Sequence, residues 1–99
     1  SQDSLKNVKV PVQLWRAEND TLVPHPRYAE AVRQALPEAP DYRVVADAGH
    51  FDFLAPCSAA LASLAPAICT SQAGFDRAAF HVGFNSEVVK FFEKTLEKR

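Results

Sequence analysis

Two short segments carry the residue types that could do chemistry. The first is Arg16-Ala17-Glu18-Asn19-Asp20-Thr21-Leu22-Val23-Pro24, the second Ala48-Gly49-His50-Phe51. Each follows a β-like run, and a helix-like segment lies between them. A carboxylate beside an imidazole can accept its Nδ1–H, fix the tautomer, and stabilise the imidazolium formed when Nε2 takes a proton. Histidine suits that task because its free pKa, about 6.5, is close to working pH. Asp20 and His50 are therefore the candidate acid and base of a site that activates a nucleophile. The nucleophile itself is missing. Ser58, Ser63, Ser71 and Ser86 lack a G-x-S-x-G context, and Cys57 follows the histidine with no flanking glycine to permit a tight elbow.

Other acids compete for the partner role. Asp47 and Asp52 lie close to His50 in sequence, and Glu18 shares the turn with Asp20. His25, between Pro24 and Pro26, reads as a surface residue at a helix entry. His81 lies beside an apolar stripe and reads as structural or exposed. No H-E-x-x-H or other short ligand spacing is present, so neither a metal nor a cofactor is expected.

The elements that must position these residues follow from periodicity. Val8 to Trp15 reads as a strand interrupted by Pro11, which is tolerated near a strand start or at an edge. Arg27 to Leu36 reads as a helix with Tyr28, Ala31, Val32, Ala35 and Leu36 on one face, entered through Pro24 and Pro26 and ended by Pro37 and Pro40. Tyr42 to Val45 is a second strand. Pro56 to Ala65 is a short Ala- and Leu-rich helix, and Cys69 to Gly74 a polar loop. From Asp76, an N-cap, a last helix carries Phe80, Phe84, Val88, Phe91, Phe92, Thr95 and Leu96 on one stripe, with Gly83 a candidate kink and Glu97-Lys98-Arg99 a solvated end.

The order strand, helix, strand, helix, helix predicts an α/β fold with a parallel strand pair and a right-handed crossover. Functional loops of such sheets gather beyond the carboxyl ends of the strands. Asp20 follows Trp15 by five residues and His50 follows Val45 by five, so both fall on one rim. Parallel strands are normally covered on both faces, and two strands make a poor sheet alone. The prediction is an incomplete sheet, prone to self-association through its free edges.

Composition sets outer bounds. The chain has 99 residues, 47% of them hydrophobic, and a net charge of −1. That charge gives no reason to expect nucleic acid or an anionic membrane as partner. No apolar run is long enough to span a bilayer, and the polar start, Ser1-Gln2-Asp3-Ser4, has no signal-peptide core and no initiator Met. The sequence reads as the C-terminal piece of a single domain.

The two motifs resemble those of the α/β-hydrolases. The acid loop of that superfamily often reads G-x-x-D-x-x-V-P, matched here from Ala17 to Pro24 with Ala17 in place of the glycine, and its histidine loop ends in Gly-His, matched by Gly49-His50. The run Ala48-Gly49-His50-Phe51-Asp52-Phe53-Leu54 is similar to the dienelactone-hydrolase-like branch, near the platelet-activating-factor acetylhydrolase relatives. The resemblance covers residues from about Val8 to the end. It implies the C-terminal portion of an α/β-hydrolase fold and a Ser- or Cys-dependent esterase acting on a small-molecule ester or lactone. Asp20 and His50 would be its acid and base. The superfamily orders its triad nucleophile, acid, histidine, so a chain holding only the last two is expected to be inactive by itself. The alternative is a non-catalytic α/β binding or interaction module in which Asp20 and His50 are incidental.

Cys57 and Cys69 are the two cysteines. A helix from Cys57 to Ala65 advances about 12 Å, and the four residues onward to Cys69 span at most about 14 Å. A fold-back after Pro66 would let them pair, and a disulfide would indicate a periplasmic or secreted location.

Overall fold

The computed structural model describes residues 2–96. The chain forms a two-stranded parallel sheet flanked by helices, a small mixed α/β arrangement. A short helix, α1 (Gln2–Leu5), precedes strand β1 (Gln13–Ala17). Helix α2 (Ala29–Ala35) connects β1 to β2 (Asp41–Val45), and the strands pair in register from Gln13 opposite Asp41 to Ala17 opposite Val45. After β2 come a 3₁₀ turn (His50–Phe53), helices α3 (Ala59–Leu64) and α4 (Pro66–Cys69), and the long helix α5 (Arg77–Leu96). Glu97, Lys98 and Arg99, the expected solvated end, lie outside the described residues.

Strand alternation sorts the side chains to two faces. Gln13, Trp15, Asp41 and Arg43 point toward α5: Trp15 packs edge-on against Phe84 at 4.7 Å and Phe80 at 6.3 Å, and Arg43 reaches Glu87 at 2.8 Å. Arg16 and Tyr42 point the other way, where Arg16 Nε donates to the Tyr42 hydroxyl at 3.0 Å and the α2 guanidinium of Arg33 lies over the Tyr42 ring at 5.4 Å. The result is a helix–sheet–helix sandwich with a thin core. Among the described residues only Ala17 and Ala48 are both apolar and buried, and no large side chain is completely enclosed.

Element boundaries differ from expectation for local reasons. β1 starts at Gln13, not Val8, because Pro11 has no N–H to donate, and it runs on to Ala17; Val10 is exposed. β2 gains Asp41, whose N–H bonds Val12 O at 2.9 Å. α2 begins at Ala29, and Tyr28 stands outside the apolar face, half exposed. Its end obeys the proline rule: Leu36, before Pro37, is extended. The segment expected as one helix from Pro56 to Ala65 is split. Ser58 caps α3 by accepting from Leu61 N–H at 3.2 Å, Ala65 leaves the helical region before Pro66, and Pro66 opens α4, which also claims Cys69 from the expected loop. Asp76 caps α5 as expected, accepting from Ala79 N–H at 3.0 Å, and the helix continues unbroken through Gly83. Phe80, Phe84, Val88, Phe91 and Thr95 are half-buried, whereas Phe92 and Leu96 sit off the inner face and are exposed.

Cys57 and Cys69 form a disulfide with Cα atoms 5.8 Å apart, bracketing the exposed helix α3. No helix among the described residues is long and apolar enough to cross a membrane.

Candidate functional site

Asp20 and His50 both lie beyond the carboxyl ends of the parallel strands, and hydrogen bonds stitch their loops together. Glu18 N–H continues the ladder to Val45 O at 3.0 Å, and Asn19 N–H donates to Ala48 O at 2.9 Å. Ala17 and Ala48, 2% and 0% exposed, lie beneath them.

Asp20 follows a tight turn in which its N–H meets Ala17 O at 3.4 Å. Its Oδ1 accepts from Leu22 N–H at 3.0 Å and Val23 N–H at 2.8 Å, the local bonding that aspartate offers a turn. Its Oδ2 is thereby aimed at His50, 2.9 Å from Nδ1. The Asp20 side chain is only 8% exposed while that of His50 is 40% exposed. Burial works against ionisation of Asp20, but the Val23 N–H, the His50 contact and the Leu22 N–H outweigh it and hold its carboxyl below the usual carboxylate range. A carboxylate at Nδ1 puts the neutral ring's proton on that nitrogen and leaves the Nε2 lone pair to accept another. His50 Nε2 has no hydrogen-bond partner among the described residues. The pair can therefore act as an oriented base.

The rival acids are occupied elsewhere. Glu18 accepts the N–H of Asp47 at 3.0 Å, and Asp47 takes the left-handed backbone (φ 64°) that turns the chain toward Ala48. Asp52 is buried, 3% exposed, away from the imidazole. Its Oδ2 accepts from Gly49 N–H at 2.7 Å; its Oδ1 accepts from Ser71 Oγ and from Arg77 Nε, the latter at 3.2 Å. Arg77 also donates through Nη1 to Ile68 O at 3.0 Å, and His81 Nε2 donates to the Asp52 carbonyl at 2.8 Å.

This buried cluster is the part that motif reading missed. His81, expected beside the stripe as structural or exposed, is buried and bonded; His25 is exposed, as expected. Arg77 and His81 stand four apart at the edge of the α5 stripe, so one helix face presents both to the same partner. A charged residue flanking an apolar stripe that close was the available signal, because a buried guanidinium requires a buried acid.

A pocket of about 410 Å³ opens beside the pair, lined by Asp20, His50, Val23, Tyr28, Phe51 and Leu54 among others. Among the described residues no Ser, Thr or Cys lines it. A groove of about 840 Å³ lies at the opposite rim, between Pro11, Val12, Leu36 and Phe91, with Lys6, Lys9, Lys90 and Lys94 around it. Neither motif contributes to that groove. It is larger, yet the oriented polar groups converge on the smaller pocket, which is the better candidate site. Among the described residues no group of three or more His, Cys, Asp or Glu could hold a metal ion.

No family model matches the chain, and no curated protein or solved structure matches it.

Proposed function

We propose that this chain supplies the acid and the base of an α/β-hydrolase acting on a carboxylic ester or lactone. The observation that carries the reading is the 2.9 Å contact between Asp20 Oδ2 and His50 Nδ1, with Asp20 already oriented by two backbone N–H groups. His50 Nε2 removes the proton of a Ser or Cys nucleophile from outside these 99 residues as it attacks the ester carbonyl. The imidazolium then protonates the departing alkoxide. Asp20 holds the tautomer and stabilises the imidazolium without itself taking the proton. The apolar walls, Val23, Phe51 and Leu54, suit an uncharged acyl or alcohol group. The Cys57–Cys69 disulfide supports an oxidising compartment, periplasmic or extracellular.

The test is hydrolysis of a short-chain activated ester. The 99-residue chain should not exceed free imidazole. A longer protein containing it should turn the ester over, and His50→Ala there should cost on the order of 10⁴–10⁶ in kcat. Asp20→Asn should be severe as well, because it removes the acceptor that fixes the tautomer. A longer protein that folds yet hydrolyses no short ester or lactone would favour a second reading, a non-catalytic binding module. The observation behind that reading is the absence of a serine, threonine or cysteine from the described pocket lining.

A further inference from the structure

We propose that Asp52 is a positioning residue for His50, fixing the imidazole from behind through the Gly49 N–H. The inference rests on His50 being the general base.

The 3₁₀ turn His50–Phe53 has little to hold it in place by itself. It is four residues long and closed by Asp52 N–H to Gly49 O at 3.1 Å and Leu54 N–H to Phe51 O at 3.0 Å. Such turns have poor hydrogen-bond geometry and persist when something else fixes them. His50 is substantially exposed, so packing fixes its ring only along the edge shared with Phe51. A base must be held to within about 0.5 Å of its working geometry, and that restraint has to come from the backbone on either side of it.

Asp52 provides it on both sides at once. Its Oδ2 grips the amide immediately before His50, and its own backbone lies two residues after. Its carbonyl is held by His81 from α5, and its Oδ1 by Ser71 and Arg77. Arg77 in turn is tied to Ile68 O in α4. The turn is thus clamped to two helices through one side chain, while the Asp20 loop is tied to the other flank by Asn19 N–H to Ala48 O. Asp20 and His50 meet because each is anchored separately. A carboxylate serves at position 52 because only an acceptor with two oxygens can take the amide on one and the guanidinium and hydroxyl on the other.

A residue that merely stabilised the fold would lower the melting temperature and leave the Asp20–His50 contact intact in the folded molecules. The measurement is therefore the His50 Nδ1–H resonance in proton–nitrogen NMR of the folded chain, with Asp20→Asn as the control that identifies it. In Asp52→Asn the amide can serve the Gly49 N–H or Arg77 but not both. The Nδ1–H should then exchange about tenfold faster with solvent while the amides of β1 and β2 keep their wild-type protection. Arg77→Lys, which keeps a charged donor for Oδ1, should lie closer to wild type. Unchanged Nδ1–H exchange in folded Asp52→Asn overturns the proposal. Should Asp52→Asn fail to fold, Ser71→Ala decides, because it removes a single donor from Oδ1: faster exchange supports the clamp and unchanged exchange overturns it. A wild-type chain with no Asp20-dependent Nδ1–H resonance would instead overturn the assignment of His50 as base, and the clamp with it.

Discussion

The two ends of the sheet use the same residue types in opposite ways. At the amino-terminal end, Arg43 pairs with Asp41 at 2.7 Å and with Glu87 at 2.8 Å, and all three side chains are about a third exposed, at 35–37%. Lysines surround a wide groove there. At the carboxyl end, Arg77 pairs with Asp52 at 3.2 Å and the two side chains are 7% and 4% exposed. The first arrangement is wet and adjustable. The second is dry, and each oxygen of its carboxylate is assigned to a partner. Cavity volume favours the amino-terminal end, yet the candidate chemistry is at the other, because a reactive group needs neighbours that cannot move away from it.

The sharpest way to break this contrast is to remove one guanidinium from each end. Arg77→Met strands the buried Asp52 carboxylate and should cost about 3–5 kcal/mol, the penalty for an uncompensated buried charge. Arg43→Met should shift the urea midpoint far less, and the difference should shrink further in high salt, since exposed pairs are screened. Equal losses for the two variants would mean that the carboxyl-end cluster is wetter than its burial indicates.

The next largest effect concerns the disulfide. Replacing Cys57 and Cys69 together with serine opens a loop of sequence separation 12, worth about 3 kcal/mol in the chain-entropy model. Every residue of α3 is exposed, and Leu64 is 84% exposed. Limited proteolysis of the double variant should therefore cut first between Cys57 and Cys69. An unchanged urea midpoint would show that α3 lies outside the cooperative unit that carries Asp20 and His50.

Where the sequence was legible, and where it was not, divides the carboxyl end itself. The parallel pair, the Asp20–His50 contact and the cysteine pairing rest on short-range signals: β-branched runs, a turn-forming aspartate, a reach that two short segments can span. The buried cluster has no motif of its own. Ser71 and Arg77 look like ordinary surface residues, and His81 like a structural or exposed one, until α5 folds back over the 3₁₀ turn and sets Arg77 and His81 against Asp52. Periodicity also overestimated α5. It placed Phe92 and Leu96 with Phe84, but the sheet is too narrow to cover a stripe that wide, and both remain about half exposed.

Acid should affect the pair itself. The Asp20 carboxyl is held below its ordinary value of 3.8. A group whose pKa is lower in the folded state adds stability that is fully present above the unfolded value and is lost as pH falls through the folded one. The contribution should thus be complete at neutral pH and disappear below about pH 4. Asp41 and Glu87 at the other end are lowered too, by Arg43 first of all, so they share this acid limb. Urea midpoints of wild type and Asp20→Asn should converge as pH falls below that range and separate above it. Midpoints that stay equally far apart at every pH would show that the Asp20 charge adds nothing to folding, and that its bonds to Leu22 and Val23 serve only to aim it.

The smallest expected effect tests what the glycine before the histidine is for. Gly49 has φ −103° and ψ 175°, an extended conformation open to any residue. A Cβ there would meet Asp52 Oδ2 at 3.8 Å, ordinary van der Waals contact. Gly74, by contrast, sits at φ +89°, where a side chain is strained. Gly49→Ala should therefore be neutral or stabilising by up to about 1 kcal/mol, through loss of unfolded-state freedom. The Asp52 bond to its N–H should survive, so the His50 Nδ1–H should exchange as in wild type. If the variant instead loses stability, the amide clamp tolerates less displacement than the 3.8 Å clearance suggests. If it stays stable yet abolishes ester turnover in a longer protein, the glycine is there to leave room for substrate beside His50, and the Gly-His pair is a feature of the pocket and not of the fold.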